Sequence, residues 1–196
     1  MAIKILAVSG SMREASRGRH ALELVLEAAR ERGAQTRLFD LHQADLPMFR
    51  PGITSDSADV REALQSVQWA DAFVLGTPDY HGSMSGALKN FLDYHWSEFA
   101  GKLFGYLCTS HERGVTAMDQ MRTAVRQCYG WSLPYGLAFN SADAFDEDGK
   151  INEQVEKRIQ MMARDIAVYG TLIRDQLAHD LASDDPNTFA ARYRKS

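Results

Sequence analysis

The chain has only two cysteines, Cys108 and Cys128, among its 196 residues. Two cysteines are too few for the disulfide framework of a small secreted protein, and Cys108 lies in an apolar run that favours a buried thiol. No stretch approaches the roughly 20 consecutive apolar residues that span a bilayer. No small-residue cleavage site follows the strand-like start of the chain, so no signal peptide is expected. The sequence therefore predicts a cytoplasmic protein without a membrane partner.

Positive charge is also scarce, because the chain has 22 Lys and Arg residues against 26 Asp and Glu residues, a net charge of −4. The densest basic segment, residues 192–195, lies near the end of the chain and is typical of a solvated tail. We therefore expect no nucleic-acid partner. The histidines lack the paired spacing of metal ligands, so no metal site is predicted.

Short apolar runs alternate with helical patterns along the whole chain. Predicted strands cover residues 4–8, 36–41, 72–76, 103–109 and 135–139, and predicted helices cover residues 19–32, 58–68, 85–96, 115–129 and 152–177. Five strands alternating with five helices predict an α/β fold, a doubly wound five-stranded parallel sheet with helices on both faces. The length suits one domain. We assign residues 1–177 to it and residues 178–196 to a C-terminal tail.

The first predicted strand runs into a loop of small hydroxyl residues, one glycine and one arginine, which ends at Ser16. Backbone N–H groups at a helix start attract an anion, and hydroxyl and guanidinium groups complete its coordination. A helix cap formed by Ser16 is the alternative, but Arg13 contributes nothing to a cap. The loop lacks the Gly-Lys-Ser/Thr ending of a phosphoryl-transferring P-loop. The pattern therefore predicts a bound phosphorylated ligand.

A second loop follows the third predicted strand, and its residues suit a planar ring. Pro78 stiffens the turn, Gly82 allows close approach of the backbone, and Tyr80 offers a flat apolar face. Ser110 begins a third loop after the fourth strand. Ligands of doubly wound sheets bind beyond the carboxyl ends of the strands, so these loops are expected to meet around one ligand.

Two motifs together resemble the NADPH-dependent FMN reductase family. They are Gly-Ser-x-Arg-x-x-Ser at residues 10–16 and Thr-Pro-x-Tyr-x-Gly-Ser-x-x-Gly-x-Leu-Lys-Asn-x-Leu-Asp at residues 77–93. The resemblance extends from about residue 3 to residue 175. It implies a flavodoxin-like fold, an FMN cofactor, and NADPH or NADH as electron donor. Quinone, chromate and azo-dye reductases belong to this family.

The resemblance also implies roles for individual residues. The FMN phosphate would be held by Ser9, Ser11, Arg13 and Ser16. The isoalloxazine would be lined, largely through backbone groups, by Pro78, Asp79, Tyr80, His81 and Gly82, with Ser110 nearby. The chain departs from the family at Gly18 and His81, where asparagine is common.

The function implied is an FMN-dependent NAD(P)H oxidoreductase that passes hydride through FMN to quinones or similar small acceptors, without a nucleophile–base pair. The alternative is a flavodoxin-like electron carrier or redox module with little NAD(P)H activity. Carriers of that kind are usually strongly acidic and have a Thr-rich phosphate loop, so this chain favours the enzyme. The family also implies a homodimer or homotetramer. The aromatic residues at positions 94–99 fit either a partner surface or the core.

Overall fold

The computed structural model describes residues 1–53, 55–146 and 148–189. The strands in these residues are β1 (Lys4–Ser9), β2 (Gln35–Asp40), β3 (Ala72–Pro78), β4 (Leu103–Thr109), β5 (Trp131–Ser132) and β6 (Leu137–Phe139). The helices are α1 (Arg17–Arg30), α2 (Ala58–Trp69), α3 (Gly86–Asp93), α4 (Val115–Gln127), α5 (Ser141–Ala144) and α6 (Glu153–Ala182), with a short 3-10 turn at Ser97–Phe99.

The strands form one parallel sheet in the order β2-β1-β3-β4-β5, and β6 also pairs with β4. This is the flavodoxin-like order, in which the chain reverses direction across the sheet between β1 and β3. One apolar core lies between the sheet and α1 and α6, and a second lies between the sheet and α2, α3 and α4. The predicted fold class, with helices on both faces, is therefore confirmed.

The number of strands is six rather than the predicted five, because the fifth strand position is divided. β5 pairs with the start of β4 and β6 pairs with its end, on the edge that faces away from β3. Pro134 lies between the two short strands, and proline has no N–H group to donate to a ladder. The pairing stops there and resumes at Leu137, so residues 135 and 136, which were predicted to be part of the strand, lie outside β6.

Hydroxyl and amide side chains fix where the helices begin. Ser16, Ser57, Ser85 and Asn152 each accept a hydrogen bond from a backbone N–H group in the first turn of α1, α2, α3 and α6 respectively. Such caps stabilise a helix by about 1 kcal/mol each. The cap at Ser16 starts α1 two residues before the predicted position, which brings the helix up to the loop after β1.

Ser85 also connects the loops that follow β1 and β3. Its hydroxyl donates to the Gly10 carbonyl at 2.6 Å while its Oγ accepts from Leu88 N at 3.1 Å. A Cβ atom at Gly10 would lie 2.8 Å from the Gly76 carbonyl oxygen, so only glycine fits this approach of two backbones. These contacts fix the position of the first loop against the second.

The end of the chain differs from the prediction, because α6 continues through Ala182, past its expected end at residue 177. Residues 190–196, including the basic segment 192–195, lie outside the described residues. No helix within the described ranges is long and apolar enough to cross a membrane. The same residues contain no group of three or more His, Cys, Asp and Glu side chains that could hold a metal ion.

Candidate functional site

A cavity of about 280 Å³ lies where β1, β3 and β4 end at the carboxyl edge of the sheet. It is lined by Ser11, Arg13, Ala15, Ser16, Arg17, Gly18, Pro78, Asp79, Tyr80, Thr109, Ser110, His111, Asn140, Ser141 and Ala142. Seven of the ten predicted site residues are in this set, namely Ser11, Arg13, Ser16, Pro78, Asp79, Tyr80 and Ser110. The structure therefore brings together all three loops that the sequence singled out.

The hydroxyl groups of the first loop retain hydrogen-bonding capacity. Ser16 Oγ accepts from Arg19 N at 3.1 Å, and Ser11 Oγ accepts from Arg13 N at 3.3 Å. A serine hydroxyl that accepts one bond keeps its own proton to donate to an anion. The capping role and the ligand-binding role, set against each other for Ser16, are therefore compatible.

Ser9 is the last residue of β1, directly before this loop, and it is not among the residues that line the cavity. Its side chain is buried, and its Oγ has no hydrogen-bond partner among the described residues. An unsatisfied buried hydroxyl costs about 1–3 kcal/mol. Beside a loop of donors, this orphan hydroxyl is the kind of group that a bound anion would satisfy.

Asp79 connects the second loop to the third. One carboxylate oxygen accepts from Gly82 N at 2.8 Å, and the other accepts from the Ser110 hydroxyl at 2.9 Å. The Asp79 backbone N–H also donates to the Thr109 carbonyl at 2.8 Å. The side chain is therefore committed to holding two loops in place, which leaves the cavity wall to its backbone and to its neighbours.

His81 and Gly82 form the tip of a tight turn. Tyr80 and Ser83 exchange backbone hydrogen bonds of 3.0 and 3.1 Å, and both residues between them have positive φ, 57° at His81 and 76° at Gly82. This is the pattern of a type I′ turn, which histidine and asparagine tolerate better than most side chains. His81 is exposed and neither residue lines the first cavity, although Gly82 lines the adjoining one.

The adjoining cavity, of about 800 Å³, shares Asp79, Ser110 and His111 with the first. Its other lining residues are Gly82, Glu112, Arg113, Gly114, Val115 and Thr116. Ligand sites are usually about 300–1,000 Å³ in volume. The two cavities together can accept an extended ligand in the first and a second molecule beside it.

The charges of the site are divided between its two ends. Arg13 and Arg17 lie at the end near the first loop, and the Arg17 guanidinium lies 5.0 Å from the Phe145 ring centroid. Asp79 lies at the other end.

Burial, reinforced by the charge of Asp79, raises the pKa of the Cys108 thiol to about 12. The thiol is buried, as predicted, and stays protonated at neutral pH, which makes it unreactive.

Sequence reasoning missed a fourth segment that lines the cavity, at residues 140–142. Asn140 accepts from Ala142 N at 3.0 Å, and the short helix α5 then carries Ser141 and Ala142 along the cavity wall. These residues follow β6, whose carboxyl end lies at the same edge of the sheet. Weighing the loop after the fifth predicted strand with the other three would have found them.

Gly18 departs from the asparagine common in the family the sequence resembles, and the structure supplies a packing reason. A Cβ atom at this position would lie 3.3 Å from Thr109 Cγ2, a tight contact that the neighbour would have to accommodate. Glycine therefore allows the first turn of α1 to approach the end of β4.

Comparison with known proteins agrees with this geometry. The family model described as NADPH-dependent FMN reductase matches residues 3–144. An NADPH azoreductase from Bacillus sp. (strain OY1-2) is 25% identical over 177 residues, which cover 88% of this chain and 96% of that protein. An FMN-dependent NADPH-azoreductase from Staphylococcus aureus (strain USA300) is 29% identical over 157 residues, 75% of this chain and 82% of that protein.

Among solved structures, the apo form of an NADH:FMN oxidoreductase superposes with a TM-score of 0.75. The superposition covers 86% of this chain and 90% of that one, at 23% sequence identity. At that identity the likeness shows a shared fold.

Proposed function

The chain belongs to the NADPH-dependent FMN reductase family, and on that premise we propose that it transfers hydride from NAD(P)H through FMN to quinones or similar small acceptors. The observation that carries this proposal is the pairing of two cavities at one sheet edge. The first has hydroxyl and guanidinium groups at one end, and the second adjoins it through Asp79, Ser110 and His111.

The residues present fit FMN. The free protons of Ser11 and Ser16 and the Arg13 guanidinium form a donor set suited to a phosphate dianion, and the orphaned Ser9 hydroxyl lies at the end of β1, directly before this loop. Pro78 and Tyr80 border the part of the cavity beyond this donor set, where a planar ring would lie. A Cβ atom at Gly10 would collide with its neighbours, so glycine is required for the loop that holds the donors to pack against the end of β3.

In this proposal the protein binds the FMN, orients it and shields it from water, and the reacting centre belongs to the cofactor. When bound, FMN supplies the hydride and electron chemistry. Arg13 neutralises phosphate charge, and Asp79 holds the loops on either side of the ring site through Gly82 N and the Ser110 hydroxyl. The larger cavity then admits NAD(P)H and the acceptor in turn beside the ring.

We propose quinones as the acceptors, and azo compounds are a second candidate because the two relatives are named azoreductases. With FMN bound, the protein is expected to oxidise NADPH in the presence of 1,4-benzoquinone, with the parallel double-reciprocal lines of ping-pong kinetics. The measurement is NADPH absorbance under anaerobic conditions, with a matched series in an azo dye. Free FMN at the same concentration is the control.

The result separates the enzyme from the electron carrier. A protein that binds FMN but oxidises NADPH no faster than free FMN, with either acceptor, would be a carrier or a redox module. Activity with the azo dye alone would retain the reductase and replace the acceptor class.

We also propose that the chain forms a homodimer or homotetramer. The aromatic residues at positions 94–99 are divided between the two predicted roles, since His95 and Phe99 are buried while the Trp96 side chain is 65% exposed. Trp131, on the edge strand β5, is 54% exposed. Large exposed aromatic side chains are typical of protein contacts.

Light scattering of the purified protein is expected to give the mass of two or four chains of 21.9 kDa. A concentration-independent mass of one chain would contradict the assembly and leave the proposed reaction unaffected.

A further inference from the structure

A separate cavity of about 390 Å³ lies at the opposite, amino edge of the sheet. Its lining residues come from the end of α2, the 3-10 turn, the segment between that turn and β4, and the C-terminal part of the chain: Gln68, Ser97, Glu98, Ala100, Lys102, Leu177, Leu181 and Phe189. None of them lines the two cavities of the proposed flavin site. The cavity is therefore a distinct place on the molecule, at the far end of the strands.

Lys102 is the one amine in this lining set, which is divided between polar residues and the apolar side chains of Ala100, Leu177, Leu181 and Phe189. Its Nζ donates to the Val67 carbonyl at 2.9 Å and lies 5.6 Å from the centroid of the fully buried Phe73 ring. No ion pair to Lys102 occurs among the described residues, in contrast to Lys89, which pairs with Asp93 at 2.6 Å. Lys102 thus borders the cavity without a direct ion pair among the described residues, although Glu98 lines the same cavity.

We propose that Lys102 is a site of covalent acylation by neutral acyl esters and thioesters that enter this cavity. The neutral amine attacks the carbonyl carbon of the acyl donor, and a C–N bond forms as the C–O or C–S bond breaks. The alcohol or thiol leaves with the electron pair of the broken bond, and the amine proton passes to solvent. No oxidant, reductant or further reactant is required.

The protonation of the amine supports this role. Burial lowers the pKa of Lys102 from 10.5 to about 8, although the charges of Asp71 and Glu98 act in the opposite direction. At pH 8 about half of the Lys102 amine is then neutral, whereas a lysine of ordinary pKa is about 0.4% neutral. The neutral form is the nucleophile, so the site offers far more of it than a surface lysine does.

The charge and polarity of the cavity select the donor and favour the product. Glu98 lies in the wall and disfavours anionic donors, while Leu177, Leu181 and Phe189 offer apolar contact to a neutral one. Acylation converts a poorly solvated cation into a neutral amide, which removes the cost of keeping a charge there. The amide retains an N–H group, and so it can keep the hydrogen bond to the Val67 carbonyl.

The test is site-resolved labelling of the full chain with p-nitrophenyl acetate at pH 8, read by peptide mass spectrometry. Lys89, whose side chain is 53% exposed, is the matched control within the same molecule. We expect Lys102 to be acetylated about tenfold faster than Lys89, because its larger neutral fraction outweighs its restricted access. The ratio is expected to be the same with and without FMN, since the two sites lie at opposite edges of the sheet.

Three further measurements test the proposal. The Lys102 labelling rate should level off above pH 8, where most of its amine is already neutral. The anionic donor acetyl phosphate should lose most of the preference for Lys102, and Glu98→Gln should restore part of it. In Lys102→Arg, which keeps the positive charge, the fast phase of p-nitrophenol release should lose the amplitude that corresponds to Lys102.

Equal labelling of Lys102 and Lys89 in the unmodified protein would overturn the proposal, whether or not any variant folds. So would a fast phase of unchanged amplitude in a folded Lys102→Arg variant. A preference for acetyl phosphate over the neutral ester would overturn the assignment of the donor class.

Discussion

Replacing Arg13 with alanine is expected to weaken FMN binding about 10- to 100-fold, because a hydrogen bond to a charged group contributes about 1.5–3 kcal/mol. Arg13 lies in the loop after β1, beside Ser11 and Ser16, and its side chain reaches the cavity from an exposed position. An exposed cation acts on a phosphate dianion partly through long-range attraction, which salt screens. The loss should therefore shrink as ionic strength rises.

The measurement is FMN titration by flavin fluorescence at low and high salt, with thermal unfolding of the same samples. Arg61→Ala is the matched control, since Arg61 pairs with Asp56 next to α2 and lies outside the cavity. An unchanged FMN affinity in a folded Arg13→Ala protein would return the loop to the role of a helix cap.

Ser9→Ala separates a ligand contact from a structural one within the same loop. The Ser9 hydroxyl is buried without a partner, so its removal should leave the free protein as stable as before or slightly more stable. If the FMN phosphate satisfies that hydroxyl, the same substitution should weaken FMN binding. Stability and affinity would then move in opposite directions, which a purely structural residue would not produce.

The parts of the fold that follow from local patterns were predictable from the sequence. β4 has its predicted bounds, Leu103–Thr109, because a run of apolar residues buried on both faces has no polar interruption. The fifth strand was predictable only as one piece. It is divided because Pro134 lies where this strand pairs with β4, and the position of β4 is fixed by the rest of the sheet.

The residues of the candidate site likewise divide into those that a local pattern predicts and those that only the tertiary fold brings together. Ser11, Arg13 and Ser16 are close in sequence, and one turn at a strand end is enough to bring them together. Asn140 reaches them only because β6 lies beside β4 with its carboxyl end at the same edge, which no local pattern states. The outward position of His81 depends on a positive φ that composition alone does not reveal.

His95 provides the other large expected effect, a dependence of stability on pH. Its ring is buried against Phe91 and Phe99, with centroid distances of 4.9 and 5.6 Å, and both ring nitrogens lack a partner among the described residues. Burial lowers the pKa of His95 from 6.5 to about 4, and the charge of Glu98 offsets only part of this effect. The folded protein therefore keeps this imidazole neutral at pH values where the unfolded chain protonates it.

Between pH 6.5 and pH 4 the unfolded chain binds more protons at this position than the folded protein does. The contribution of His95 to stability is thus fully present above pH 6.5 and is lost as the pH falls towards 4. A shift of this size corresponds to about 3 kcal/mol of unfolding free energy. In His95→Leu, the decrease in unfolding free energy from pH 7 to pH 4 should be smaller than in the unmodified protein by about that amount.

Urea unfolding at pH 7, 5.5 and 4 measures this difference. Carboxylates also titrate in this range, but they are common to both proteins and cancel when the two decreases are compared. Lost ring contacts with Phe91 and Phe99 lower the stability of the variant at every pH, and so they do not enter the comparison either. His42→Leu, at an exposed position, is the matched control for replacing a histidine with leucine. If His95→Leu loses as much stability between pH 7 and pH 4 as the unmodified protein does, the buried ring is not held neutral by its apolar surroundings.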